Sequence, residues 1–461
     1  MTGPGGSFPS GRLCSVLAVV LFAFPAAGSV ISSASESEEQ PDSTESPFLV
    51  RIDPERTTQF ECNVSITGTL TTPARDGEKT WDLLTAARFR FTQRQLASPL
   101  SGPLALQAVR RYFVASTSVT VGKDHQTRIS MPRSASLIQV AGSDTGVNYA
   151  PVTGSLSRTQ LDLLQMPCDP LPCTGLLPSR DVTVGEKWNT DAWVVPLLAG
   201  LDAVTEQSMA CELMSLNDKS LRISFTGSAE GAALGSASSV LLTGSLVFDR
   251  REQLIQMLEC RLTEKRSPGP VSPGIAATVE VQWTQSPDES EVALPSEADP
   301  GTFEQPLVLT TPWRLILRHS REWHLFNQTE RVLMLRQIRF GALVSQCNIS
   351  AGVIVPPGEH TPDAEFRSDV EKAVSSRGGF VIKEETLRED NLWRVRRVQA
   401  KATTGQLEIT WDYFLCASAS GEQYSIVFSH STEDAEAFGD EPTRLLGSLS
   451  LARRRPALPF R

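Results

Sequence analysis

The stretch from Met209 to Trp283 predicts an antiparallel sheet. Apolar and polar positions alternate along five successive runs, and a side-chain period of two is typical of strands with one face in a core and the other in water. Turn residues separate the runs, among them Asn217-Asp218, Asp249-Arg250 and Ser267-Pro268-Gly269-Pro270. The pattern therefore predicts a five-stranded antiparallel meander.

Similar alternation upstream extends this β-rich region. It predicts strands at 48–52 and 59–71, one through Phe89 and Phe91, and further strands at 104–121 and 126–131. Together with the meander they form a β-rich domain over residues 47–286, in which the long strands could also curl into a half-barrel.

Two helical segments interrupt the strands of this domain. Residues 157–165 predict a short helix with Ser157 as N-cap. The apolar run 193–201 predicts one or two helical turns interrupted at Pro196, since proline inside a helix lacks a hydrogen-bond donor.

An acidic, proline-rich passage over residues 287–305 has no apolar period and predicts a linker. Beyond it, residues 306–452 predict an α+β domain. Its main helix is expected to begin with Thr361 as N-cap and Pro362 at the first helical position, and to stop at Gly378-Gly379. Four strands follow, and a final helix is expected from Thr432.

The first residues predict export. Arg12 precedes an apolar run over residues 14–27, and small residues follow. This order is typical of a secretory signal peptide, here residues 1–28, and the run is too short for a membrane span. A disordered acidic spacer (29–46) is expected next, and a basic tail (453–461) ends the chain. The mature protein is predicted to be secreted or periplasmic, with no membrane span.

A net charge of −10 disfavours nucleic acid as a partner. There are two local exceptions. Arg394 with Arg396 and Arg397 lies in an alternating strand and is interpreted as a solvated face, and Arg453-Arg454-Arg455 is interpreted as a frayed end. The partner is expected to be an unknown protein or a small apolar ligand.

Seven cysteines remain after removal of the signal peptide, and in an oxidising compartment most should be paired. The short prolyl loop between Cys168 and Cys173 is expected to close on its own disulfide. Cys211 and Cys260 share the apolar side of the first domain, and Cys347 and Cys416 both fall in the second. Cys62 is left over, either free or paired across the first domain.

Candidate catalytic chemistry is weak. His319 and His324 have opposite strand parity and so do not form a ligand pair. Asp144 stands in an Asp-Thr-Gly triplet that aspartic proteases also use, but with no second copy it is interpreted as a surface turn. Phosphate-binding glycine loops are absent. No catalytic, cofactor-binding or metal-binding residue is predicted.

Two resemblances add expectations about fold. The passage from Val182 (VTVGEKW and the meander after it) resembles uncharacterised bacterial exported β-rich proteins, which bring no known activity. Residues 306–451 resemble the PsbP-like fold through the QCNIS segment at Gln346, the capped helix, the strands after it and the closing LLGSL segment at Leu445. That resemblance implies an antiparallel sheet flanked by helices and a binding or assembly module.

Three functions remain open from sequence. The favoured one is an exported, non-catalytic binding or assembly protein of the cell envelope. The alternative is a lipid or small-molecule carrier that uses the first-domain sheet. A hydrolase built on carboxylates is the third. A concave apolar pocket in the first domain would favour the carrier.

Overall fold

The computed structural model describes residues 56–453 except 75–76, 99, 289–293, 296, 298 and 406. The chain separates into two compact units, one ending at Phe303 and the other beginning at Glu304, with Pro270–Ser272 grouped with the second. Both units are mainly β, with antiparallel sheets. Within the described residues, no helix has the length and apolar character needed to cross a membrane. The predicted signal peptide, the spacer, the strand at 48–52 and all but the first residue of the tail lie outside the described residues.

The first unit is built on a twelve-stranded sheet. Its strands are β1 (Thr57–Ala74), β2 (Gly77–Gln95), β3 (Gln107–Val121), β4 (His125–Ser130), β5 (Leu137–Ser143), β6 (Gly146–Pro151), β7 (Lys187–Asn189), β8 (Ala203–Leu216), β9 (Ser220–Ala233), β10 (Ser236–Asp249), β11 (Leu254–Arg266) and β12 (Gly274–Pro287). The strand order is β6-β5-β3-β2-β1-β12-β11-β10-β9-β8-β7, and β4 pairs with β3.

The predicted five-stranded meander is confirmed as β8 to β12. Consecutive strands pair antiparallel, and the register aligns Leu213, Ile223, Leu246 and Leu258 in one row across four of them. All four side chains are at most 1% exposed. The period of two in the sequence therefore reports one apolar face that the sheet keeps continuous from strand to strand.

A segment made mainly of loops and short helices lies on this apolar face. This covering segment (residues 156–201) includes α1 (Arg158–Leu164), a 3₁₀ turn (Pro172–Leu176), the edge strand β7 and α2 (Val194–Ala199). Both of its α-helices contact the sheet, α1 at β3 and β4 and α2 at β8 and β9. The first unit thus buries its sheet against a helical cover.

The local sequence explains where both helices begin. The Ser157 side chain accepts a hydrogen bond from the Gln160 backbone N–H, and the Gln160 side chain accepts one from Ser157, which confirms the predicted N-cap. The predicted interruption at Pro196 is wrong, because α2 runs through it. Pro196 is the third residue of α2, where its missing N–H has no intrahelical acceptor to lose.

The second unit carries two sheets and three helices among its described residues. A three-stranded sheet has the order β13-β14-β22, and a seven-stranded sheet has the order β15-β16-β17-β21-β20-β19-β18. The elements are β13 (Leu307–Thr310), β14 (Leu315–His319), β15 (Trp323–Gln328), β16 (Val332–Arg339), β17 (Ala342–Ala351), α3 (Asp363–Ser375), β18 (Phe380–Glu389), β19 (Trp393–Thr404), β20 (Leu407–Ser418), β21 (Gln423–Ser431), α4 (Ala435–Phe438), α5 (Glu441–Gly447) and β22 (Ser450–Leu451).

The seven-stranded sheet has apolar clusters on both faces. Phe414 and Cys416 of β20 belong to a core that also takes in β14, α4 and α5, whereas Leu415 packs with Phe366 and Val370 of α3. Consecutive residues of β20 are therefore buried on opposite faces.

The ends of the helices in the second unit differ from the sequence prediction. The N-cap of α3 is Pro362 rather than Thr361, and no side chain caps it. The single closing helix expected from Thr432 is two short helices, α4 and α5, broken at Gly439, whose φ is 58°. This unit is mainly β, and the expected α+β character is not shown.

Candidate functional site

The centre of the first unit is a row of aromatic side chains under the covering segment. Phe60 of β1 stacks on Phe91 of β2 with ring centroids 5.0 Å apart, and Phe91 meets Tyr112 of β3 at 4.9 Å. Trp283 of β12 packs edge-on against Phe60 at 5.7 Å. Such pairs contribute about 0.5–1.5 kcal/mol beyond the area they bury. The row joins four neighbouring strands of the sheet.

A buried ion pair fastens the covering segment above this row. Arg110 of β3 donates from both terminal nitrogens to the two carboxylate oxygens of Asp169, each at 2.6 Å. The two side chains are 0% and 1% exposed. The guanidinium also lies 4.8 Å from the ring centroid of Phe91. A bidentate pair of this kind fixes both distance and orientation between the sheet and its cover.

Neutral polar groups complete the cluster around the ion pair. Arg110 Nε donates to Gln93 Oε1 at 2.7 Å, and Nη1 is 3.3 Å from the hydroxyl of Tyr112. The Tyr149 hydroxyl and the Leu171 backbone N–H donate to Asp169 at 2.8 and 2.9 Å. These contacts supply the hydrogen bonds that a buried charge needs.

Burial and charge shift the titration of the cluster. Burial alone would lower the pKa of Arg110, but the Asp169 carboxylate holds that pKa well above its ordinary value. Burial, reinforced by Asp169, raises the pKa of Tyr149 well above its usual range, and burial raises the pKa of Tyr112 to about 12. Both phenols are therefore neutral at physiological pH and serve as hydrogen-bonding groups.

Cys168, next to Asp169 in the chain, is held in an unusual conformation. Its φ is 51°, a left-handed value that is uncommon for a non-glycine residue. Trp283 Nε1 donates to its carbonyl at 3.1 Å, and its own N–H donates to the Leu198 carbonyl at 2.9 Å. Strain of this kind persists only where the surroundings hold it. Cys168 is thus tied both to the sheet and to α2.

Asp162 is a second buried carboxylate in the covering segment. It lies on α1 at 1% exposure and accepts from Arg158 Nε at 2.7 Å, while its Oδ2 has no hydrogen-bond partner in the described residues. Burial raises the pKa of Asp162 to about 6, although Arg158 opposes the shift. The desolvation of a half-satisfied carboxylate explains the direction.

The helix α2 is short and almost wholly apolar. Val194, Val195, Leu197 and Leu198 are each at most 4% exposed, and Gly200 ends the helix with φ 70°. A six-residue helix is not stable alone in water, so its packing on β8 and β9 holds it. The chain on either side is bonded to the sheet, by the Gln207 side chain to the Ala192 carbonyl and by the Asp202 N–H to the Ala232 carbonyl.

The positions of the cysteines bear on the pairings that the sequence suggested. All seven described cysteines are buried, and no disulfide joins them in the structure. Cys211 and Cys260 lie in one row of the sheet with β9 and β10 between them, and strands about 4.8 Å apart leave them too distant for a bridge. Cys347 and Cys416 are likewise separated by a strand, β21.

The prolyl loop also departs from the expected Cys168–Cys173 bridge. Cys173 Sγ contacts the carbonyl oxygen of Cys168 at 3.5 Å, whereas Cys168 Sγ contacts Cys260 Sγ at 3.1 Å. Burial raises the pKa of Cys62, Cys173 and Cys416. These buried thiols are therefore protonated and poor nucleophiles in the folded chain.

The other residues considered from sequence lie in separate places. Asp144 is exposed in the two-residue turn between β5 and β6. His319 lies on β14 and His324 on β15, which belong to different sheets. Among the described residues there is no group of three or more His, Cys, Asp or Glu side chains able to hold a metal ion.

Sequence reasoning missed Arg110 and Asp169. Arg110 shares strand parity with Ala108 and Tyr112, both inward-facing. A charge at an apolar position of a strand requires a partner. Asp169 in an otherwise apolar prolyl loop was the matching signal, although 59 residues separate the two.

Comparisons with known proteins identify no family. No family model matches the sequence, and no curated protein matches it. Among solved structures, lipovitellin, from a study of lipid–protein interactions, matches 54% of this chain with 6% identity and a TM-score of 0.30. The match spans about a quarter, 27%, of the lipovitellin chain.

Two further structures match with lower scores. DynF, from the dynemicin biosynthesis pathway of Micromonospora chersina, has 8% identity and a TM-score of 0.13, covering 59% of this chain and 96% of its own. The outer membrane protein OprD of Pseudomonas aeruginosa has 8% identity and a TM-score of 0.13, covering 82% of this chain and 94% of its own. Scores this low carry no argument about the function of this chain.

The resemblance to the PsbP-like fold is wrong. The structures that match include outer-membrane proteins and lipovitellin, and nothing among them points to that fold. The residues that suggested it, in the QCNIS segment, α3 and the closing LLGSL segment, are core and turn residues, which many antiparallel sheets share. The resemblance of the first unit to bacterial exported β-rich proteins has no matching family either.

Proposed function

We propose that the chain is an exported, non-catalytic carrier that binds a lipid or another small apolar molecule on the apolar face of the twelve-stranded sheet. The observation that carries the proposal is the composition of the cover. A sheet face of this size is usually closed by a second sheet or by long helices, whereas this one is closed by a segment whose α-helices have seven and six residues.

Two parts of the covering segment, around Asp169 and around α2, differ in how they are held. Around Asp169 the attachment is polar, bidentate and buried. Around α2 the helix side chains that face inward are apolar, namely Val194, Val195, Leu197 and Leu198. Apolar burial is non-directional and scales with area, so an alkyl chain can replace the α2 side chains against the sheet at little net cost.

The surface that α2 would uncover is suited to an alkyl chain. Buried residues of the neighbouring strands include Met209, Leu213, Ile223, Phe225 and Leu242. Ligand sites of this type are lined mainly by apolar side chains with few polar groups. In this mechanism the ion pair at Asp169 keeps the middle of the covering segment in place while α2 moves aside.

Titration with a fluorescent fatty acid, 11-(dansylamino)undecanoic acid, tests the proposal on the purified full chain. We expect saturable fluorescence enhancement that oleic acid reverses. Leu198→Ala weakens the packing of α2 by about 2–5 kcal/mol, so we expect it to tighten probe binding several-fold. Leu242→Asn on the sheet face should weaken it.

The matched control is Leu241→Ala, the neighbouring residue of β10, whose side chain is 61% exposed on the opposite face. It should leave probe binding unchanged. Circular dichroism establishes that each variant is folded. Absence of binding by the wild-type chain, or weaker binding by Leu198→Ala, would contradict the carrier.

A further inference from the structure

We infer that Cys168 and Cys260 form a disulfide that joins the covering segment to the centre of the sheet. The two sulfur atoms are 3.1 Å apart, and both side chains are buried, at 0% and 4% exposure. Cys168 belongs to the covering segment and Cys260 to β11. The inference concerns the fold of the first unit and does not depend on the proposed ligand.

The backbone around Cys168 directs its side chain toward β11. With φ at 51° the residue is in the left-handed region, and hydrogen bonds from Trp283 Nε1 and to the Leu198 carbonyl hold it there. For any residue other than glycine, this left-handed conformation costs free energy because the Cβ atom lies close to the backbone. In this conformation the Cys168 sulfur contacts the Cys260 sulfur.

The alternative partners are less well placed. Cys211 lies three strands away from Cys260 in the same row of the sheet. Cys173 Sγ contacts the backbone carbonyl of Cys168 at 3.5 Å, whereas the sulfur–sulfur contact of Cys168 at 3.1 Å is with Cys260. On β1, Cys62 is opposite Trp283, and β12 separates it from β11.

The reaction is thiol–disulfide exchange with an external disulfide compound. The thiolate of one cysteine attacks a sulfur of that compound, forms a mixed disulfide and releases one thiol. The second cysteine thiolate then attacks the mixed disulfide, forms the Cys168–Cys260 bond and releases the second thiol. Two electrons pass from the cysteine sulfurs to the external disulfide, and the two cysteine protons are carried by the released thiols.

The burial of both sulfurs determines when the thiol–disulfide exchange can occur. Both sulfurs are inaccessible once the covering segment lies on the sheet, so exchange has to occur before that segment docks. The bond would close a loop between residues 92 positions apart. Constraint of a long loop in the unfolded chain is the main route by which a disulfide stabilises a fold.

The test is refolding of the denatured, reduced full chain in a buffer of reduced and oxidised glutathione. Remaining thiols are alkylated, and the chain is digested with trypsin without reduction. Cleavage after arginine leaves peptides 159–180 and 252–261. We expect mass spectrometry to find them joined, with a mass two hydrogens below their sum.

Variants assign the bond to single residues. Cys173→Ser should keep the joined peptide, because peptide 159–180 contains both Cys168 and Cys173, and Cys168→Ser should lose it. As a control, Cys211→Ser should leave it unchanged. A joined peptide that persists in Cys168→Ser, a bond from Cys260 to Cys211, or complete alkylation of Cys168 and Cys260 after oxidative refolding would overturn the inference.

A stability measurement gives an independent readout. The oxidised wild-type chain should unfold at a temperature several degrees above that of the same chain reduced and alkylated after unfolding. Cys168→Ser should show no such difference between the two treatments. An equal difference in wild type and Cys168→Ser would place the stabilising bond elsewhere.

Discussion

Arg110 and Asp169 meet in a bidentate ion pair with both nitrogen–oxygen distances at 2.6 Å, although 59 residues separate them in the chain. Two charges taken fully out of water cost several kcal/mol each to desolvate, and their attraction only offsets that cost when geometry and hydrogen bonds are complete. The pair therefore specifies where the covering segment lies more than it adds stability.

Asp169→Asn should destabilise the first unit by about 3–5 kcal/mol, because it leaves the Arg110 guanidinium buried without a counter-charge. Chemical denaturation followed by tryptophan fluorescence measures the change. The control is Glu280→Gln, which removes an exposed ion pair with Arg261 at 3.2 Å, where both side chains are more than half exposed. That control should change stability by at most about 1 kcal/mol. Equal losses for the two variants would contradict the assigned role of Asp169.

Asp162 predicts a pH dependence of stability. Its pKa is raised to about 6 in the folded chain from an ordinary value of 3.8. Between these values the folded chain binds more protons than the unfolded chain, so the free energy of unfolding falls as pH rises from about 4 to 6. A pKa shift of this size changes the free energy of unfolding by roughly 2–3 kcal/mol across this pH range.

Asp162→Asn should remove this contribution, since the amide does not titrate in that window. The free energies of unfolding of wild type and variant, measured at intervals from pH 4 to pH 7, should diverge, with the variant gaining relative stability as pH rises. Parallel curves for the two proteins would show that Asp162 does not titrate as its burial requires.

Much of the sheet was predictable because its signal is local. The strands of the meander alternate with a period of two, and the residues between them are turn formers, so β8 to β12 follow from sequence order alone. The N-cap of α1 was equally local, since Ser157 and Gln160 are three residues apart. Such features need no knowledge of which distant segments meet.

The candidate site was not predictable in the same way because its contacts are long-range. The pairing of β1 with β12 joins the two ends of the first unit, and it is this pairing that places Phe60 against Trp283. The meeting of Cys168 with Cys260 depends on the path of the covering segment across the sheet. The hydrophobic period and the residue spacing of the sequence indicate neither of these long-range contacts.

Gly244 should tolerate no side chain. A β-carbon built there would lie 2.4 Å from Phe225 Cζ and 2.4 Å from the Glu259 carbonyl oxygen. Because the Phe225 ring covers this glycine from the neighbouring strand β9, Gly244→Ala should destabilise the first unit by about 1–3 kcal/mol through overpacking. The midpoint of thermal unfolding reports the change. Thr243→Ala, one residue away and exposed, is the control and should cost less than half as much.

The arginines of β19 were interpreted from sequence as a solvated face, and that interpretation is wrong. Arg394, Arg396 and Arg397 have side chains only 15–23% exposed, and each pairs with at least one carboxylate. The acids come from α3 and from the neighbouring strands β18 and β20, so the alternation of β19 alone does not reveal them. The charges on these strands form a network across the sheet.

Asp412 is the buried centre of that network, at 2% exposure. Its Oδ1 accepts hydrogen bonds from Arg397 Nε and Nη2 at 2.9 and 2.6 Å and from Gln399 Nε2 at 2.9 Å. Asp412→Ala leaves these donors without an acceptor, and we expect a loss of about 2–4 kcal/mol in the free energy of unfolding of the second unit.

Asp369→Ala is the comparison for Asp412→Ala, since the Asp369 side chain is 63% exposed and pairs with an exposed lysine at 3.2 Å, Lys372 on the same helix. It should change stability by less than about 1 kcal/mol. Hydrogen exchange of the β19 and β20 amides separates a local effect from a global one, because Asp412→Ala should speed exchange in these strands first. Unchanged protection in β19 and β20 would show that the sheet does not depend on the network.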